Sequence, residues 1–147
     1  MYTKGAKEYS QVGLQTEVME ADPHKLIQLL LEGALTRLAM AKKFIEEKNY
    51  ESRNEKIGSA IDILCALQES LDHDRGGDIS SNLERLYDYM TRRLFDANRL
   101  NDQEPVNEVM SLLLEIKAGW EGIREGYVEL KSQGKVDLKK AGGSLSV

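Results

Sequence analysis

The side chains with the widest catalytic repertoire are scarce in this chain. It contains two histidines, His24 and His73, and a single cysteine, Cys65. Neither histidine stands in a Glu-x-x-His motif, which a di-iron helical bundle needs on each of two helices, and no glycine-rich phosphate loop of a common form is present. A calcium loop beginning at Asp72 would need glutamate at its twelfth position, where Leu83 stands. The sequence therefore predicts no enzymatic activity, no metal site and no cofactor.

His24 leaves one kind of reaction open. A histidine on a helical bundle can accept a phosphoryl group, but such residues usually lie in the middle of a helix on an exposed face. His24 falls in the first turn of a predicted helix, where the helix dipole disfavours its charged form, so we interpret it as an ordinary surface or capping residue. Cys65 lies between Leu64 and Ala66, where a small buried hydrophobic residue is the favoured interpretation. A histidine phosphotransfer bundle is kept as an alternative function.

Composition and charge exclude several classes of partner. The 147 residues carry a net charge of −5, and an acidic chain repels phosphate backbones, so nucleic acid is not an expected partner. No segment approaches the roughly 20 apolar residues of a membrane span, and the first residues lack the apolar region of a signal peptide. A single cysteine cannot form an internal disulfide. Together these observations predict a cytoplasmic protein without membrane insertion.

Apolar residues recur at intervals of three and four along most of the chain, which predicts helices. The first helix begins with Asp22, which can cap it, and Pro23, which presets its first turn. Its apolar stripe continues to about Lys48. A break over residues 49–53 then leads into a second helix, which covers roughly residues 52–72.

The second half of the chain predicts two more helices. Residues 72–77 include paired glycines and predict a turn, after which Asp78 or Ser81 can cap the third helix. Asp102 can cap the fourth helix, whose stripe is the longest regular pattern of the chain: Val106, Val109, Leu113, Ile116, Trp120, Ile123, Tyr127 and Leu130. Short connections between long helices favour antiparallel neighbours. The expected fold is all-α: an antiparallel up-down-up-down four-helix bundle with an N-terminal arm or short helix.

The chain is expected to form one domain. Residues 1–131 would make up the helical bundle, and residues 1–20 of that domain would be an arm packed onto it. Residues 132–147 are rich in lysine, glycine and serine. They can bury too little apolar surface to offset the entropy of ordering, so a flexible tail is expected there.

The apolar stripes are wider than a bundle core requires. A core-facing helix uses about three residues in seven, whereas Leu29, Leu30 and Leu31 are consecutive, and Tyr87 and Tyr89 cannot share one face. Some of these side chains must lie outside the core, and a large exposed apolar patch usually marks a binding surface. Periodicity alone leaves three explanations open: a core widened by the arm, the seam of a structural homodimeric bundle, and a surface that binds another protein.

Several short motifs share their order and spacing with one known family. They are YSQV at 9–12, ADPHKLI at 21–27, EGAL at 32–35, KIGSAIDILCALQES at 56–70 and GGDI at 76–79, with further matches as far as Asn101 and Asp102. In these motifs the chain resembles the flagellar secretion chaperone family, FliS. The resemblance covers roughly residues 1–130.

The resemblance implies a chaperone of the bacterial cytosol, built as an antiparallel helical bundle with no enzymatic activity and no cofactor. The implied client is flagellin, whose C-terminal segment is disordered alone and becomes helical in the complex. Binding would prevent premature polymerisation and keep flagellin competent for type III flagellar export. In the family, the N-terminal segment can occupy an apolar pocket that flagellin also uses, and Tyr9 is the matching position here.

The resemblance and the apolar stripes together give a set of expected partner contacts. These lie on the arm and on the first three helices: Tyr9, Val12, Ile27, Leu31, Ile61, Leu64, Leu86, Tyr89 and Arg93. Further expected partners are flagellar export-gate components or flagellar regulators. The unbound protein is expected to be a monomer or a weak homodimer.

Overall fold

The computed structural model describes residues 22–132, with side chains as far as Ile123. Four helices make up this part of the chain: α1 (Pro23–Glu46), α2 (Tyr50–Glu69), α3 (His73–Leu100) and α4 (Gln103–Ser132). These residues include no strand, so the predicted all-α fold is confirmed. The predicted arm and residues 133–147 of the predicted tail lie outside the described residues. None of the described helices is apolar over a length that could cross a membrane.

Side-chain caps determine where the first two helices begin. The backbone N–H of Lys25 donates to Asp22 Oδ1 at 2.7 Å, and Pro23 occupies the first turn, as the sequence predicts. The backbone N–H of Ser52 donates to Asn49 Oδ1 at 3.2 Å. Asn49 therefore caps α2, and the helix begins at Tyr50, slightly earlier than predicted.

The start of α3 corrects a prediction. Residues 72–77 are not a simple turn before the helix, because Asp72 caps α3 by accepting from the N–H of Arg75 at 3.2 Å. Neither Asp78 nor Ser81 is the N-cap. The second of the paired glycines interrupts the helix locally. Gly77 has φ 53° and ψ −124°, a non-helical conformation that glycine adopts without the steric cost of a Cβ. Periodicity could not separate a break within a helix from a break before one.

The helices pack as an antiparallel bundle. Each contacts its neighbours in the chain, and α1 also packs against α4. The direction is visible in two α2–α3 hydrogen bonds, since Arg53 pairs with Asn101 at one end and Gln68 with Asp88 at the other. The core between the helices consists of fully buried side chains from all four, including Leu31, Leu38, Ile57, Leu64, Met90, Leu94, Val109 and Leu113.

Polar side chains fasten one end of the bundle. Asn101 takes a left-handed conformation that ends α3, and its side-chain amide donates to the carbonyl oxygen of Ile45 at 3.3 Å. The Gln103 amide donates to the carbonyl oxygen of Lys42 at 2.9 Å. These bonds reach backbone carbonyl groups in the last turns of α1. The α3–α4 connection is thereby held against α1.

Candidate functional site

The expected partner contacts divide by burial. Tyr9 and Val12 lie outside the described residues. Leu31 and Leu64 are 0% exposed, so in this conformation neither presents surface to a partner, and both act as core residues. Ile27, Ile61 and Leu86 are partly buried at the edge of the core, where part of each side chain stays open to contact. Tyr89 is exposed and Arg93 is half-buried.

Tyr89 and Arg93 belong to a polar network between α3 and α4. The Tyr89 hydroxyl donates to Glu108 Oε2 at 2.7 Å, and Arg93 Nε donates to Glu108 Oε1 at 2.7 Å. Arg93 Nη1 also donates to Asp96 Oδ2 at 3.0 Å, and Asp96 accepts a further bond from Arg99. A single carboxylate on α4 therefore holds two side chains of α3.

The electrostatics of this network follow from its bonds. The bond from Arg93, and then that from Tyr89, keep the pKa of Glu108 below its ordinary value of 4.5. The same bond raises the pKa of the Tyr89 phenol, because it stabilises the neutral, donating form. Arg99, followed by Arg93, lowers the pKa of Asp96. At neutral pH, Glu108 and Asp96 are therefore ionised and Tyr89 is neutral.

The lowered pKa of Glu108 gives a pH dependence with a definite sign. Because its folded pKa lies below the unfolded one, its stabilising contribution is complete above about pH 4.5 and is lost as the pH falls through the folded value. Wild type and Glu108→Gln should therefore differ in the midpoint of thermal unfolding at pH 7 and converge in acid, where the glutamate becomes a neutral isostere of glutamine. The difference should be small, because the Arg93 and Glu108 side chains stay partly open to solvent, which screens the ion pair. A difference that does not shrink as the pH is lowered from 7 to 3 would contradict the assignment.

An apolar surface extends from this network along α3 and α4. Ile79, Leu86 and Arg93 are spaced seven apart and so lie along one side of α3, the side that Arg93 turns towards Glu108 on α4. On α4, Leu112 and Ile123 follow Glu108 at helical spacing. The antiparallel register brings these two stripes together, and we call the surface the α3–α4 face. It comprises Ile79, Leu83, Leu86, Leu112, Ile116 and Ile123.

The α3–α4 face is partly open to solvent. Ile79 is 57% exposed and Ile123 is 37% exposed, whereas the other four side chains pack against the core. Gly119 and Gly122 lie close to Ile123 on α4, and a Cβ on either would meet nothing within 4 Å. A glycine inside a helix costs about 1 kcal/mol relative to alanine, and packing within the described residues does not explain either glycine. Both leave room for another backbone to approach α4.

A second apolar strip lies between α2 and α3. Gln68 on α2 donates to Asp88 on α3 at 2.9 Å. Ile61 precedes Gln68 by seven residues and Phe95 follows Asp88 by seven, so the antiparallel register places Ile61 and Phe95 at one level. Phe95 is 57% exposed. We call this surface the α2–α3 strip.

Cys65 corrects a prediction on the same helix. Its side chain is exposed, not buried between its apolar neighbours as the sequence suggested. Leu64 and Ala66 turn into the bundle, and successive helical positions are about 100° apart, so the residue between them need not follow. Cys65 precedes Gln68 by one turn and lies beside the α2–α3 strip.

His24 is not the surface residue that the sequence suggested. It is 6% exposed and its ring stacks on Trp120, with centroids 4.4 Å apart and planes at 12°. His24 Nε2 donates to the carbonyl oxygen of Trp120 at 2.9 Å, and Trp120 Nε1 donates to the carbonyl oxygen of His24 at 2.9 Å. The residue fastens α1 to α4. A buried imidazole held in this way cannot present Nε2 to a phosphoryl donor, which removes the support for a phosphotransfer function.

Sequence reasoning missed three contributors to these surfaces. Glu108 carried no motif, because its role depends on contacts with another helix. The positions of Phe95 and Ile79 in the sequence did indicate exposure. Phe95 follows Leu94, which belongs to the core stripe of α3, and Ile79 stands outside that stripe. Adjacent helical positions cannot both face the core, so both could have been assigned to the surface.

Comparison with known proteins identifies the family. The sequence model described as "Flagellar protein FliS" matches residues 5–127. The chain belongs to the FliS family. A flagellar secretion chaperone, FliSB, of Pseudomonas aeruginosa is 48% identical over 120 residues, covering 82% of this chain and 95% of that protein. The FliS of Salmonella typhimurium is 42% identical over 125 residues, covering 84% and 93%, and that of Bacillus subtilis is 32% identical over 106 residues, covering 72% and 78%.

Membership of the FliS family settles the class of function. FliS proteins are chaperones of flagellar secretion, so this chain is a flagellar export chaperone and not an enzyme. The predicted family is confirmed.

Proposed function

We propose that this chaperone binds the C-terminal segment of flagellin in the bacterial cytosol. Binding would prevent premature polymerisation and keep flagellin competent for type III flagellar export. The observation that carries the proposal is the α3–α4 face, where large apolar side chains lie exposed beside two glycines above which the described residues leave open space. We refer to the flagellin segment below as the client segment.

The α3–α4 face has the shape that an amphipathic helix requires. Ile79 and Ile123 offer apolar surface on its two sides, and a helix laid between them could approach α4 closely at Gly119 and Gly122. Such helices dock through apolar residues at helical spacing. Each large side chain that is fully removed from water contributes roughly 1.5–3 kcal/mol. A face with several such side chains can offset the cost of ordering a disordered segment.

The α2–α3 strip supplies a second place for the client segment. Phe95 is exposed at the level of the partly buried Ile61, and an exposed aromatic side chain is a frequent anchor in protein interfaces. Because α3 contributes to both surfaces, an extended client can contact both by passing around this helix. A disordered segment can wrap a large surface in this way.

The same proposal covers the organisation of the chain. Residues 1–131 form the chaperone domain, and the arm at residues 1–20 competes with the client segment for an apolar pocket through Tyr9 and Val12. Of the other contacts expected from the sequence, Ile27, Ile61, Leu86, Tyr89 and Arg93 retain surface that a client could reach. Export-gate components or flagellar regulators are proposed as further partners, and the unbound chaperone is proposed to be a monomer or a weak homodimer.

Calorimetry with a flagellin C-terminal peptide tests the proposal. The peptide should bind with a dissociation constant of about 1 μM or below, and the heat-capacity change should be strongly negative, because folding of the peptide against the bundle buries apolar surface. A peptide of the same composition in scrambled order is the matched control, since it lacks the apolar stripe. No heat of binding at tens of micromolar would overturn the proposed function.

A further inference from the structure

Glu108 uses both of its carboxylate oxygens on α3. Oε2 accepts from the Tyr89 hydroxyl and Oε1 from Arg93 Nε, each at 2.7 Å. The distances are those of charge-assisted hydrogen bonds. Each bond removes rotamer freedom from a side chain that would otherwise move in solvent. Asp96 adds a second restraint on Arg93 through Nη1.

The groups left open by this network are suited to recognition. Tyr89 is 36% exposed, so part of its ring can pack against an apolar side chain. Within the described part of the chain, the bonds of Arg93 go through Nε and Nη1, which leaves Nη2 able to donate. A segment docked here would be recognised by an oxygen acceptor, either a side-chain carboxylate or amide or the last carbonyls of a helix, next to an apolar side chain.

We propose that Glu108 is a positioning residue for client recognition, which acts by holding Tyr89 and Arg93 in the orientation that contacts the client segment. The inference rests on the proposed function. Ordering a flexible side chain at an interface weakens binding, and a side chain already held in place avoids that loss. Glu108 therefore contributes to affinity without touching the client segment itself.

A double-mutant cycle tests this role. Glu108→Ala should weaken binding of the flagellin C-terminal peptide by about tenfold, with the bundle still folded, because the side chain is partly open to solvent and lies outside the buried core. In a chain that already carries Tyr89→Ala and Arg93→Ala, the further change of Glu108 should alter the affinity by less than about twofold, since the side chains that it positions are gone. Tyr89→Phe, which removes only one bond to Glu108, should weaken binding by a few-fold. Glu55→Ala is the matched control, because this exposed glutamate lies on α2 outside the α3–α4 face and the α2–α3 strip, and it should leave the affinity unchanged.

The outcomes separate this inference from the proposed function. If wild type does not bind the peptide, the proposed function itself fails. If wild type binds, an equal loss from Glu108→Ala in both backgrounds would show direct contact or a general structural effect and would overturn the positioning role. No loss in either background would overturn it as well. Circular dichroism of each variant verifies that helix content is retained.

Discussion

Replacing Leu64 with alanine should lower the free energy of unfolding by about 2–5 kcal/mol. The side chain is 0% exposed, so truncation removes fully buried methyl groups and leaves a cavity that the packed helices close only in part. The midpoint of thermal unfolding should fall by roughly 10 °C for a domain of this size. Differential scanning calorimetry measures both quantities, and Leu31→Ala should behave in the same way because Leu31 is buried to the same extent.

Ile79→Ala is the matched control for these core substitutions. Ile79 is 57% exposed, so its truncation should change the free energy of unfolding by no more than about 0.5 kcal/mol. If Leu64→Ala were as mild as Ile79→Ala, Leu64 would not be a core residue. Its expected role as a partner contact would then regain support.

Changing both Ile79 and Ile123 to aspartate should weaken binding of the client segment by at least about a hundredfold. Both side chains offer exposed apolar surface on the α3–α4 face. A client helix would lose that surface and would have to bury or displace two carboxylates that find no partner in an apolar interface. Stability should fall by no more than about 1–2 kcal/mol, since neither residue belongs to the buried core. Calorimetric titration gives the affinity, and denaturant unfolding gives the stability.

Met40→Asp is the matched control for the loss of binding. Met40 is 40% exposed and lies on α1, so this substitution places one carboxylate on an exposed apolar position away from the α3–α4 face. Its affinity for the client segment should equal that of wild type. If the double substitution left binding intact, or if Met40→Asp reduced binding to the same extent, the α3–α4 face could not be the client surface.

The helices and their order could be predicted because local signals specified them. Asp22 and Pro23 act within the first turn of α1. The stripe of α4 depends only on the spacing of apolar residues along one helix. The beginning of α3 could not be placed in this way. Paired glycines predict a break, but the Asp72 cap and the bond from Ser80 Oγ to the Asp72 carbonyl oxygen keep the first turn helical before Gly77.

The candidate site was harder to predict than the fold, since exposure depends on how helices face one another. Leu31 and Leu64 carry the same apolar character as the exposed Ile79, and only packing separates them. The roles of Glu108 and His24 could not be predicted from the sequence either. Each acts through a residue on another helix: Tyr89 and Arg93 for Glu108, and Trp120 for His24. The family resemblance supplied the function without supplying these contacts.

The central claim is that flagellin's C-terminal segment lies on the α3–α4 face, and isoleucine-methyl NMR tests it most directly. The chain carries its own controls, because Ile79 and Ile123 are exposed, whereas Ile57 and Ile63 are fully buried. With methyl-labelled chaperone and unlabelled flagellin peptide, intermolecular nuclear Overhauser effects should connect the peptide with the methyl groups of Ile79 and Ile123 and should be absent for Ile57 and Ile63. A saturated complex with no intermolecular effect at Ile79 or Ile123 would contradict the claim.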